Sequence, residues 1–90
     1  MTDHERYLVN LLRHAFDGDV EKRIKEFEAY YWPVVEEVPS DSRLGEAIHT
    51  LAEDLEYFEP KAEWRTDPIL YDHEELRRRI RNVLTLMPSA

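Results

Sequence analysis

The side chains best equipped for chemistry in this chain are carboxylates, and they are crowded into one stretch. Between Asp41 and Glu75 stand eleven acids but only three bases, Arg43, Lys61 and Arg65. The rest of the chain is balanced, so this stretch carries the whole formal charge of −8. Acids are densest at Glu53, Asp54, Glu56, Glu59 and Glu63, interleaved with Tyr57 and Trp64. Carboxylates at that density can ligate a metal, pass a proton, or attract a cationic surface.

The metal-binding and catalytic motifs fail on named residues, while acid/base work by a carboxylate pair stays open with no pair singled out. In His73-Glu74-Glu75-Leu76-Arg77, arginine stands where the HExxH zinc motif needs its second histidine. Glu46 and His49 form one ExxH pair, whereas a di-iron carboxylate bundle needs two such pairs and two more glutamates. His4, His14 and His73 are preceded at the third position by Met1, Leu11 and Leu70, so no second pair exists. Gly18 and Gly45 are the only glycines, too few for a phosphate-cradling loop. Cysteine is absent, which removes thiolate nucleophiles, thiolate zinc sites and disulfides. No serine sits in a nucleophile elbow, and no pair of acids is singled out for proton transfer. The expectation is a protein without catalytic residues, metal or cofactor.

Attraction remains. A net charge of −8 speaks against nucleic acid, whose binders carry a basic excess, and against an anionic membrane surface. It permits a basic protein partner. The one basic run, Arg77, Arg78, Arg79 and Arg81, is expected to pair internally, because Glu74–Arg78 and Glu75–Arg79 have the acid-first i, i+4 order. Tyr57 falls off the apolar seam of its helix and Trp64 lies in the acidic loop, which makes both candidate interface anchors.

The elements that must position these groups are helical. At 90 residues the chain is expected to form a single domain, residues 1–90, with a small core. Tyr7, Leu8, Leu11, Leu12 and Ala15 share a helix face, with Thr2 and Glu5 at capping-box spacing before it. Asp17-Gly18-Asp19 ends that helix and caps the next. Val20, Ile24, Phe27, Tyr31, Val34 and Val38 form a heptad-like seam interrupted by Pro33. The helix either ends near Tyr31 or continues with a kink, and the unbroken seam favours the kink.

Pro39-Ser40-Asp41-Ser42 is a turn and cap, followed by Leu44, Ile48, Leu51, Leu55 and Phe58 in a third helix that Pro60 stops. Asp72 caps a fourth, with Tyr71 and Leu76 placed as a hydrophobic staple and Leu76, Ile80, Val83, Leu84 and Met87 on the buried face. The expected fold is all-α, a compact antiparallel four-helix bundle. Met1–Arg13 contains four charged residues and no small-residue cleavage site, and no apolar run approaches the roughly 20 residues of a membrane span. The expected location is the cytoplasm.

Leu51-Ala52-Glu53-Asp54-Leu55-Glu56-Tyr57-Phe58-Glu59-Pro60, then Glu63, then Leu76, Ile80 and Leu84, resembles the colicin D immunity protein family. The likeness covers residues 44–87 and centres on Phe58-Glu59-Pro60. It implies a four-helix bundle that binds the nuclease domain of a bacterial toxin one-to-one. The bundle would be monomeric when free, and its acidic surface would cover the basic cleft that holds tRNA. Comparable immunity proteins serve contact-dependent inhibition systems. Carried over, Glu56, Glu59 and Glu63 would face the toxin's cations; charge density adds Glu53 and Asp54 to the expected surface, and Tyr57 and Trp64 are its candidate anchors. Lys61 stands where the family pattern has an acid, and Trp64 where it is polar. The competing expectation is a helical dimerisation or adaptor module whose acids only solubilise it.

Overall fold

Four α-helices are held in place by polar side chains at their first turns. The computed structural model describes residues 1–87. The helices are α1, Asp3–Asp17; α2, Val20–Tyr31; α3, Arg43–Asp54; and α4, His73–Leu84. Each begins at a side-chain cap that occupies an amide the helix cannot satisfy. Thr2 and Glu5 form a reciprocal capping box, which explains why Glu5 is a buried acid. Asp19 accepts from the Lys22 amide, Ser42 from Gly45 and Asp72 from Glu75. Among the described residues there is no strand, and no helix is long and apolar enough to cross a membrane.

One core joins the four helices. Leu8 and Leu12 of α1, Ile24, Phe27 and Tyr31 of α2, Ile48 of α3, and Leu76 and Ile80 of α4 are fully buried. Helix α1 packs on α2 and α4, and α3 packs on α4. The Cα radius of gyration of 12.9 Å is that of a compact chain of this length.

At Pro33 both sequence readings are partly right. Helix α2 ends at Tyr31, and a 3-10 helix, Trp32–Glu37, continues it without a break in helical backbone. Proline has no N–H, so the α-ladder cannot pass through it. The tighter winding keeps Val34 half-buried and returns Val38 to the core. Glu36 is left exposed beside α3, while the exposed Glu37 lies 3.5 Å from His4 of α1.

The third helix stops short of its seam. α3 ends at Asp54, a single 3-10 turn covers Leu55–Tyr57, and Phe58 is extended rather than helical. The cause is a tertiary bond. Tyr71 donates its amide to the Tyr57 carbonyl at 3.0 Å, and its own carbonyl accepts from the Glu59 amide at 2.9 Å. This isolated parallel bridge pairs Phe58 with Tyr71 and pulls the chain off the helix axis before Pro60. At the other terminus α4 ends at Leu84, so Met87 lies in the following turn, half-buried against the core.

Tyr71 is also buried and donates its hydroxyl to the Asp54 carbonyl at 2.7 Å. The Arg79 guanidinium lies 4.2 Å over its ring and pairs with the Asp54 carboxylate at 3.0 Å. Burial pushes the Tyr71 hydroxyl up to about 12, against the pull of Arg79 and with the help of Asp54, Glu28 and Glu75. Arg79 also reaches Glu75, as sequence spacing predicts, but Arg78 pairs with Glu75 rather than Glu74. The doubly bonded Glu75 carboxyl is held at about 2, chiefly by hydrogen bonding from Arg78, then from Arg79, against its partial desolvation.

Gly45 sits where α3 meets the preceding turn. A Cβ there would lie 1.8 Å from the Pro39 carbonyl oxygen, so only glycine lets the turn close on the helix.

Three outcomes follow. Gly45→Ala is expected to destabilise the fold by about 2–3 kcal/mol, the cost of overpacking against rigid backbone, as read by chemical denaturation. Tyr71→Phe is expected to cost about 1 kcal/mol and to remove the last-titrating tyrosinate from an alkaline absorbance titration. Because the folded value lies above the ordinary 10.0, stability from Tyr71 is complete below that pH and is lost as pH rises toward about 12. Glu75 has the opposite sign. Its folded value lies below the ordinary 4.5, so its stability is present above that pH and disappears as pH falls toward about 2. Thermal melts should therefore show Glu75→Gln less stable than wild type at neutral pH, with the gap closing across that acid window.

Candidate protein-interaction face

Glu46, Thr50 and Glu53 recur at i, i+4 and i+7 on α3 and share one side of the helix. The 3-10 helix after α2 brings Glu36 alongside. With Val35, Val38, Ser40 and His49 they line a shallow depression of about 430 Å³. His49 in its lining is held by a half-buried relay. Tyr31 and His49 share a hydrogen bond through the tyrosine hydroxyl and Nδ1, and His49 Nε2 lies 2.9 Å from the Val38 carbonyl. A carbonyl can only accept, so the His49 Nε2–H donates to Val38. Burial, then the charge of Glu53, pushes the Tyr31 hydroxyl above its ordinary value.

The relay engages both nitrogens of His49 in hydrogen bonds within the protein. Among the described residues, no group of three His, Cys, Asp or Glu side chains could hold a metal ion.

The seven residues singled out by sequence have different fates. Glu53, Glu56 and Glu63 are exposed, and among the described residues none has an ion-pair partner. Asp54 points to the other side of α3, into its bond with Arg79. Tyr57 is half-buried and packs against the core. Glu59 is half-buried and folds onto its own turn, where it accepts from the Lys61 amide at 3.2 Å. Trp64 is 57% exposed, with the Lys61 ammonium 4.2 Å from its ring centroid.

Neither loop cation neutralises a neighbouring acid. Lys61 lies on the Trp64 ring, and Arg65 donates to the backbone carbonyl of Glu59 at 2.8 Å. Exposed carboxylates closer together than the Debye length of about 8–10 Å reinforce one another's potential. Glu53 and Glu56 are one turn apart at the end of α3, so their charges add, and Glu63 follows in the loop.

Sequence reasoning missed Glu36 and Glu46 as members of this face. Glu36 lies beyond Pro33, where the chain's course was open. Glu46 was read only as half of a metal pair. The available signal was the i, i+7 spacing of Glu46 and Glu53 on one helix side.

The arrangement can attract and orient a cationic surface, with Trp64 as a flat apolar contact at the edge of the acids. No protein-family model matches the chain, and no curated protein or solved structure matches it.

Proposed function

We propose that this protein is an immunity-type inhibitor of a bacterial nuclease toxin. In this reading the four helices form an antiparallel bundle in the cytoplasm. The bundle binds the toxin's basic nuclease domain, of the tRNA-cleaving kind, one-to-one. Its acidic face takes the place of the substrate's phosphates, and inhibition is stoichiometric, with no catalysis or cofactor.

The observation that carries this reading is that Glu36, Glu46, Glu53, Glu56 and Glu63, on α3 and the segments flanking it, are exposed and have no cation partner among the described residues. Elsewhere on the surface, Glu26 pairs with Arg23 and Glu75 with Arg78, while Asp17, Asp41, Asp67 and Glu74 are exposed singly. A nuclease cleft must attract phosphate and is lined with lysine and arginine. Opposed charges steer encounter to about 10⁸ M⁻¹s⁻¹ or more at low salt. The Phe58-Glu59-Pro60 resemblance supports the same reading, with a structural role for the motif. Phe58 makes the bridge and Glu59 folds the turn, while Glu56 and Glu63 flank them with free charge.

A second reading, self-association through helical faces, draws on a groove of about 420 Å³ between α3 and α4. Leu51, Val83 and exposed Leu86 are among its lining residues. It requires a mass above 10.8 kDa that grows with concentration in light scattering.

The test uses the basic C-terminal domain of a toxin encoded beside this protein's gene. The wild-type chain should bind it one-to-one and block its cleavage of tRNA. Glu53→Gln, Glu56→Gln and Glu63→Gln combined should weaken binding by several kcal/mol, on the order of measured interfacial charge pairs. The loss should fall mainly on the association rate and shrink at high salt. Full protection by the triple variant at unchanged affinity would refute this face.

A further inference from the structure

The arginine run of α4 has a role to account for beyond internal pairing. Arg77, Arg78 and Arg81 line an open depression of about 760 Å³ with Arg65 of the loop, His73 and Pro60. Arg78 is held by Glu75. The other three guanidiniums have uncharged partners. Arg65 donates to the Glu59 carbonyl at 2.8 Å and Arg77 to the Gly18 carbonyl at 3.1 Å. Arg81 lies over the Phe16 ring, 5.4 Å from its centroid. Each contact leaves further N–H donors on a group that has five.

The acids on the same wall are mostly engaged. Asp72 caps α4 by accepting from the Glu75 amide at 3.0 Å, and Glu75 holds both Arg78 and Arg79. Glu74 alone is exposed there without an ion-pair partner among the described residues. Three cations with neutral partners thus stand with two lining carboxylates that have no cation partner among the described residues, Asp72 and Glu74, on a protein whose net charge is −8. Arg65 comes from a different segment than the α4 arginines, so the convergence is tertiary and does not follow from a basic run alone.

The geometry points to an oxyanion site: the depression binds a small phosphate-type dianion through Arg65, Arg77 and Arg81. Guanidinium forks match tetrahedral oxyanions in charge and in paired N–H geometry. A long polyanion is disfavoured by Glu74 on the wall and by the acidity of the whole chain. Inorganic phosphate and the terminal phosphate of a nucleotide share the required chemistry.

The experiment is a titration of the intact protein with sodium phosphate at constant ionic strength, following arginine Nε–H resonances by NMR. Saturable shifts are expected at Arg65, Arg77 and Arg81. The combined Arg65→Gln and Arg81→Gln variant should bind about tenfold more weakly or worse, as loss of charge-assisted hydrogen bonds requires. Glu74→Gln should bind more tightly, and Arg43→Gln, outside the depression, as wild type. Thermal melts without phosphate confirm that each variant is folded.

Parallel titrations with a 5′-mononucleotide and a single-stranded oligonucleotide separate the sources. Tighter binding of the mononucleotide than of phosphate assigns a nucleotide ligand, and the reverse assigns free phosphate. Shifts that never saturate, folded arginine variants that bind as wild type, or preference for the oligonucleotide would overturn the proposal. None of these readouts involves Glu53, Glu56 or Glu63, so the site stands or falls independently of the toxin-binding face.

Discussion

The arrangement of the second half of this chain depends on one buried tyrosine. Tyr71 precedes the cap of α4, yet its hydroxyl closes on the last turn of α3 and its backbone clasps the residues just beyond. A loop that leaves a helix must place its amides and carbonyls somewhere. Here the Tyr57 carbonyl and the Glu59 amide find their partners in a single residue. Arg79 covers the same ring and draws in Asp54, so α3, the loop and α4 are fastened at one point. The acidic face inherits its geometry from that fastening, because it sets where Glu53 and Glu56 end and where the loop bearing Glu63 begins.

That point also sorts the charges. Asp54 and Glu53 are neighbours in sequence, but only Asp54 turns toward Arg79. Its carboxylate becomes structural and Glu53 stays free. Glu59 and Glu63 divide the same way, the first folded onto its turn and the second exposed. A stretch that looks uniformly acidic is therefore two populations, one holding the fold and one exposed to solvent.

Helix starts were legible in the sequence because capping is local. Thr2, Asp19, Ser42 and Asp72 each act within three residues of their own position. The core was legible because burial follows the 3.6-residue period. What local reasoning missed depends on residues far apart in the chain. Phe58 continues the apolar period of α3, yet Tyr71 takes it out of the helix. Asp54 has the composition of an interface acid, and its partner lies 25 residues away. The Glu74–Arg78 spacing is ideal, but Glu75 captures Arg78 and Arg79 together. Gly45 carries no pattern at all, since its necessity comes from the Pro39 carbonyl pressed against it.

The Phe58–Tyr71 bridge has a consequence for loop length. It joins the two ends of the 59–70 segment, so the segment is closed at its base whatever lies between. The entropic cost of lengthening a closed loop grows only with the logarithm of its length, by about 0.6 kcal/mol per doubling. Residues such as Glu63, Trp64, Asp67 and Ile69 are exposed on it. They can be exchanged or supplemented without disturbing the helices that carry the core. The bridge thus fixes the ends of the loop independently of its exposed middle, so changes in its length or exposed residues cost the fold little.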